Sequence, residues 1–129
     1  MILEEVVVMN VPFEEALVSL KDALADQGFG TLTEIDLQAT LRAKTGKETD
    51  RYVIVGACNP HLAGRALDID PSIGVLLPCN VVLRQVDDQV IVEAMDPGLM
   101  PSITERADLQ PVADDARALL GAALIELMN

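Results

Sequence analysis

Tryptophan is missing from this 129-residue chain, which holds only one tyrosine and two phenylalanines. A core without large rings must be filled by Val, Leu, Ile, Ala and Met, and half of the residues are apolar. That composition belongs to a folded chain, not a disordered one. Basic side chains are scarce too, nine against 21 acidic ones, for a formal charge of −12. The arginines are scattered and lysine is confined to Lys21, Lys44 and Lys47, so no basic run exists. So acidic a surface repels phosphate backbones and anionic lipid, which excludes nucleic acid and membrane as natural partners. Long apolar runs are also lacking, since nothing approaches the roughly 20 residues that span a bilayer. The opening is interrupted by Glu4 and Glu5 and has no basic leader, so a cytoplasmic location is expected. In that compartment the two cysteines are expected as thiols.

Catalytic signatures are wanting as well. Gly28-Phe29-Gly30 lacks the later glycine and lysine of a phosphate loop, and neither G-x-S-x-G nor H-E-x-x-H occurs. With one histidine and dispersed carboxylates, the inventory leans away from an enzyme and names no cofactor or resident metal.

What is present is periodicity. Residues 2–9 read as a strand, and Asn10 with Pro12 opens a helix whose apolar positions are Phe13, Ala16, Leu17, Leu20, Ala23 and Leu24. Gly28 stops it. A strand over 29–35 is followed by a short helix capped by Asp36 and ended by Gly46. A third strand covers 51–58, and Asn59-Pro60 begins another short helix. The fourth strand is expected from 75 to 84 with Pro78 as a bulge or unpaired position inside it. Val86 to Val90 makes a tight hairpin, the fifth strand follows to Met95, and 96–101 reads as irregular loop. An amphipathic helix over 108–128 closes the chain. The expected class is α+β: one domain, a five-stranded antiparallel sheet, two main helices on one face and two short helices in the connections.

The two central strands break the expected alternation. Val53, Val55 and Ala57 oppose Tyr52, Ile54, Gly56 and Cys58, while Val75, Leu77, Cys79, Val81 and Leu83 oppose Leu76, Pro78, Asn80, Val82 and Arg84. A sheet covered on one face should be apolar on one parity only. Both faces of this ribbon want cover, so a homodimer is expected, or a small apolar ligand on the uncovered side.

Cys58, Asn59, His61, Cys79 and Asn80 form the candidate pocket. Two thiols and an imidazole are soft ligands that suit copper or zinc, and a thiol at a helix start can be made nucleophilic towards a thiol-reactive ligand. Against both stands the spacing: no paired C-x-x-C, and several rungs expected between the end of one strand and the middle of the next. Buried free cysteines often serve as small hydrophobes. Asn59 reads either as a helix cap or as a ligand contact, and Asn80 either as bulge filling or as a ligand contact. The expected function is a non-catalytic small-ligand-binding or interaction module acting as a homodimer. A thiol-dependent redox sensor or enzyme using Cys58 or Cys79, and a soft-metal binder, stay open as alternatives.

Gly28-Phe29-Gly30, Glu34-Ile35-Asp36, Gly56-Ala57-Cys58-Asn59-Pro60, Leu76-Leu77-Pro78-Cys79-Asn80-Val81-Val82 and Asp96-Pro97 together resemble the DUF302 family, over nearly the whole chain. The resemblance implies a small bacterial or archaeal α+β domain with its main helices on one side of an antiparallel sheet. It implies no activity, cofactor or catalytic residue.

Overall fold

Phe13, Ala16, Leu17, Leu20, Ala23 and Leu24 recur at helical spacing, and in the computed structural model, which describes residues 1–128, they are the buried stripe of helix α1 (Phe13–Asp26). The same spacing on Val112, Ala113, Ala116, Leu120, Ala123 and Leu124 builds α5 (Gln110–Leu127). Both helices pack on the sheet in one core cluster, to which α1 gives the small Ala16 and Ala23 and α5 gives Ala123. Gly28, one residue past the α1 cap, takes the left-handed φ of 83° that ends the helix.

The sheet holds β1 (Val7–Met9), β2 (Gly30–Asp36), β3 (Tyr52–Cys58), β4 (Cys79–Val86) and β5 (Gln89–Ala94). Its spatial order is β1-β5-β4-β3-β2, antiparallel throughout, with α1 and α5 on one face. The α+β class and the one-sided helix layer are as the sequence implies. Asp87 and Asp88 alone turn β4 into β5, with Asp87 at φ 52°.

Shorter helices fill the connections. Asp36 caps α2 (Leu37–Thr45) by accepting from Ala39 N at 2.9 Å, and Gly46 at φ 72° ends it. Asn59 caps α3 (Pro60–Ile69). A third short helix, α4 (Leu99–Thr104), occupies the segment expected as irregular loop, with Asp96 accepting from Gly98 N at 2.8 Å just before it.

Several boundaries differ from the periodic reading. Of residues 2–9 only Val7–Met9 is regular strand, and Ile2 makes an isolated bridge to Met95. Pro12 holds the α1 cap position, while Asn10 accepts from Gln89 at 3.1 Å. The largest difference is at the fourth strand. Pro71–Leu76 winds as a 3-10 helix started by Asp70, whose carboxylate accepts from Ser72 N at 2.9 Å. The strand therefore begins at Cys79, and Pro78 precedes it. Proline has no N–H for the ladder, so pairing starts after it.

The core divides into two parts. The main cluster lies between the sheet and α1/α5; a smaller one joins Leu62, Ala66 and Ile73 to Met100, Leu109, Val112, Ala113 and Ala116. Polar clamps hold the edges. Arg51 stacks on the Phe13 ring at 4.4 Å and pairs with Glu14 at 2.6 Å; Lys21 pairs with Glu34, and Arg117 with Asp96.

Gly56 marks the tightest approach in the sheet. A Cβ there would stand 2.1 Å from Thr33 Oγ1 and 2.7 Å from Pro78 Cγ. Overpacking of this kind costs about 1–3 kcal/mol. Gly56→Ala is expected to fall at the upper end, about 3 kcal/mol by urea unfolding, because the Pro78 ring cannot swing aside even where Thr33 can rotate. Gly64→Ala, where a Cβ meets nothing within 4 Å, is the control and should be neutral or stabilising.

Candidate functional site

The register of β3 on β4 decides where the candidate residues go. Ala57 faces Cys79 and Gly56 faces Asn80, so Cys58 and Cys79 are diagonal neighbours, not several rungs apart. The expected separation fails because residues 75 and 76 are spent in the 3-10 turn. Cys58, Asn59 and Cys79 line one cavity, together with Phe29, Leu62, Met100 and Val112. Its volume is about 20 Å³, room for one water molecule at most. Its lining is almost entirely apolar, so it reads as a packing defect of the core.

Within it, Cys79 is buried and its thiol is pushed up to about 11, first by burial and then by the neighbouring Cys58. Almost none of it is thiolate near neutrality. Cys58 is half-buried, and both cysteines are free.

Asn59 is the one buried polar side chain among the described residues. Its Oδ1 accepts from His61 N at 3.2 Å and Leu62 N at 3.3 Å, capping α3, while its Nδ2 donates to Gln27 O at 3.5 Å. Both ends of the amide are spent on joining α3 to the end of α1. His61 is exposed on the first turn of α3. Asn80 points the other way, because alternation along β4 puts it on the reverse face of the sheet. It lies in regular register opposite Gly56, with no bulge, and its carbonyl accepts from Met95 N at 3.0 Å. The five candidates thus separate into a trio around one small cavity (Asn59 and Cys79 buried, Cys58 half-buried), one exposed histidine and one asparagine on the far face. Among the described residues no group of three or more His, Cys, Asp or Glu side chains is placed to hold a metal ion.

That far face is the second place of interest, on the side of the sheet away from α1 and α5. Its cross-strand rows run Val8–Ile91–Arg84–Tyr52, then Glu93–Val82–Ile54–Ile35, then Met95–Asn80–Gly56–Thr33. Val8 and Ile35 are exposed, and Tyr52, Ile54, Val82, Ile91 and Met95 are half-buried. The two charges in these rows, Arg84 and Glu93, pair with each other at 2.8 Å. A hollow of about 380 Å³ opens here, lined by Tyr52, Asn80, Val82, Glu93 and Met95 with Met1, Ile2 and Leu99 at its rim. The apolar reverse parity of the central strands signals this face in the sequence. The rim does not show there, because Met1, Ile2 and Leu99 are distant in the chain.

Comparison with known proteins agrees with the fold. The model of the family described as "Domain of unknown function DUF302" matches residues 5–127, and the chain belongs to that family. A crystal structure of an uncharacterised conserved DUF302 protein from Bacillus stearothermophilus is similar, at 26% identity, with a TM-score of 0.87 over 94% of each chain. No curated protein matches the sequence.

The raised Cys79 thiol carries a pH consequence. Unfolded, it titrates near 9.0; folded, it keeps its proton to about 11. Between those values the folded state holds more protons than the unfolded one, so stability falls as pH rises from about 9 to about 11. Cys79→Ala should remove about 2 kcal/mol of that alkaline loss, read as a smaller drop in the urea midpoint between pH 8 and pH 11 than in the parent chain.

Proposed function

We propose that this DUF302 chain is a non-catalytic binding module that works as a homodimer, its two copies meeting through the uncovered faces of their sheets. One observation carries the reading: the uncovered face is apolar and electrically neutral in a chain whose net charge is −12. Two such chains repel wherever acids face acids. In the cross-strand rows of this face the two charged side chains, Arg84 and Glu93, cancel within one pair. They also make the face complementary to itself, since a two-fold axis sets Arg84 of one copy against Glu93 of the other.

Size supports the same occupant. Five strands about 4.8 Å apart and six residues at about 3.3 Å give a flat footprint of about 500 Å², before side-chain relief is counted. That is the order of the roughly 800 Å² per partner typical of stable interfaces.

The thiol alternative draws support from Cys58 and Cys79 lining one cavity. The high pKa of Cys79 and the size of that cavity weigh against it. The soft-metal alternative needs Cys58, Cys79 and His61 in one place, and they are not gathered. A cytoplasmic setting agrees with free thiols and with the absence, among the described residues, of any helix long and apolar enough to cross a membrane.

Sedimentation equilibrium tests the assembly. The parent chain should be dimeric at micromolar concentration. Ile54→Glu, at the centre of the face, should raise the dissociation constant at least about 100-fold while far-UV circular dichroism is kept. Val18→Glu, exposed on the helix side, should leave the dimer unchanged. A parent chain that stays monomeric at 100-fold higher protein, about 100 μM, defeats the reading.

A further inference from the structure

We infer that the outer edge of β2 receives an extended segment of another protein as a sixth strand, one whose side chains alternate basic and apolar. The inference goes beyond the assembly described above, because copies that meet through their sheet faces leave this edge free. β2 is hydrogen-bonded to β3 alone within the sheet, and all seven of its residues are exposed. From residue 30 to residue 52 no residue is buried, so this part of the chain adds nothing to either core cluster.

An open strand edge presents a row of unpaired N–H and C=O groups, and proteins blunt such edges with lysine, proline or a covering element. β2 has no lysine and no proline. The helix that follows it, α2, turns back towards the loop before β3, where Gln38 Nε2 donates to Thr49 O at 2.8 Å. A bulge between Thr31 and Thr33 interrupts one end of the strand and leaves Thr33 to Asp36 in regular register. The opposite edge of the sheet, β1, is only three residues long. Strand addition draws its affinity from main-chain hydrogen bonds and its specificity from alternate side chains.

Those alternate side chains name the occupant. Thr33 and Ile35 stand on the far face, opposite Gly56 and Ile54, whereas Glu34 and Asp36 stand on the helix side, opposite Val55 and Val53. A second copy fits this edge badly. A two-fold axis normal to the sheet through Glu34 sets that carboxylate against itself, and one through Ile35 sets Glu34 against Asp36. An axis through Thr33 runs each copy's bulge into the other. A segment with lysine or arginine on the helix side has no such conflict. Its apolar residues on the far side extend the row Val82–Ile54–Ile35 by one strand. The chain's charge of −12 also steers a basic segment inwards. The basic residues of α2 do not compete, since Arg42 is bound to Glu48 and Lys44 stands about 12 Å along the helix from Asp36.

Three capped peptides test the edge: one repeating Lys-Val three times, its Glu-Val counterpart, and the Lys-Val peptide N-methylated along its whole backbone. The first should shift the amide resonances of Thr33, Glu34 and Ile35 saturably and slow their hydrogen exchange. N-methylation keeps the charge and removes the donors, so it should weaken binding at least about tenfold, as should the change to glutamate. Glu34→Lys, an exposed change, should weaken the Lys-Val peptide about tenfold and strengthen the Glu-Val one. Equal binding of the methylated peptide means attraction by charge alone and overturns the inference. So do shifts confined to the acidic groove of Asp22, Asp26 and Glu126, or no saturable shift up to about 1 mM peptide. Protection of β2 that rises with protein concentration and without peptide makes a second copy the occupant, and overturns it too. A dimer that ignores the Lys-Val peptide leaves the assembly standing without the inference. A monomer that binds it at β2 with the N-methyl discrimination supports the inference and defeats the assembly.

Discussion

The pairing of Ala57 with Cys79 sets the position of nearly every side chain discussed above. Side chains alternate along a strand, so a slip of one residue would exchange the two faces of β4. Val81 and Leu83 would turn to water, and Val82 and Arg84 would enter the aliphatic core. The register is held at its start by a steric fit. Gly56 has no side chain, and Thr33 and Pro78 occupy the space a Cβ would need. Asn59, one residue past the strand, then ties the chain to the end of α1 and to the start of α3 with the same amide. A glycine and an asparagine, neither of them a large contributor of buried area, thus orient the ribbon on which both faces depend.

Given that register, the two faces differ for one reason. The helix side receives α1 and α5, and Val53, Val55, Val81, Leu83 and Val92 are almost wholly buried there. The other side receives the N-terminal segment and Leu99, the first residue of α4, at one corner. Burial contributes roughly 25 cal/mol per Å² of apolar area, so an uncovered face of this size is a reservoir that the lone chain leaves unused. Acidity limits what can draw on it. Most of the surface carries unpaired carboxylates, whereas this face carries one internal ion pair, so contact here costs the least in like-charge repulsion.

Much of this was legible in the residues. Heptad-like spacing placed α1 and α5, Asp36 and Gly46 bounded α2, and Asn59-Pro60 opened α3, because caps and periodicity are local signals. The doubled apolar parity of residues 52–58 and 75–84 was legible as well, and where it falls in β3 and β4 it marks the face away from α1 and α5. The start of β4 was not. Val75 and Leu76 look like strand, yet Asp70 caps a 3-10 turn through them, and turn chemistry outweighed the β propensity of two residues. That single displacement is why Cys58 and Cys79 were expected apart and stand as neighbours. Asn80 adjoins Cys79 in the chain but not in space, because alternation sends consecutive strand residues to opposite faces.

The placement of the aromatic residues sharpens the contrast between the faces. Phe13 and Phe29 are both buried on the helix side, where a ring has only to fill space. The one tyrosine stands on the uncovered face instead. A phenol buried in an aliphatic core would need a partner for its hydroxyl or lose on the order of 1–3 kcal/mol. On a face open to water, the same residue keeps its hydroxyl hydrated and still offers a ring. Tyrosine is enriched at interfaces and in pockets for that reason. A chain this poor in rings has spent its only amphipathic one on the face that carries Asn80 and Val82, whereas the cysteines line a cavity with room for one water molecule at most.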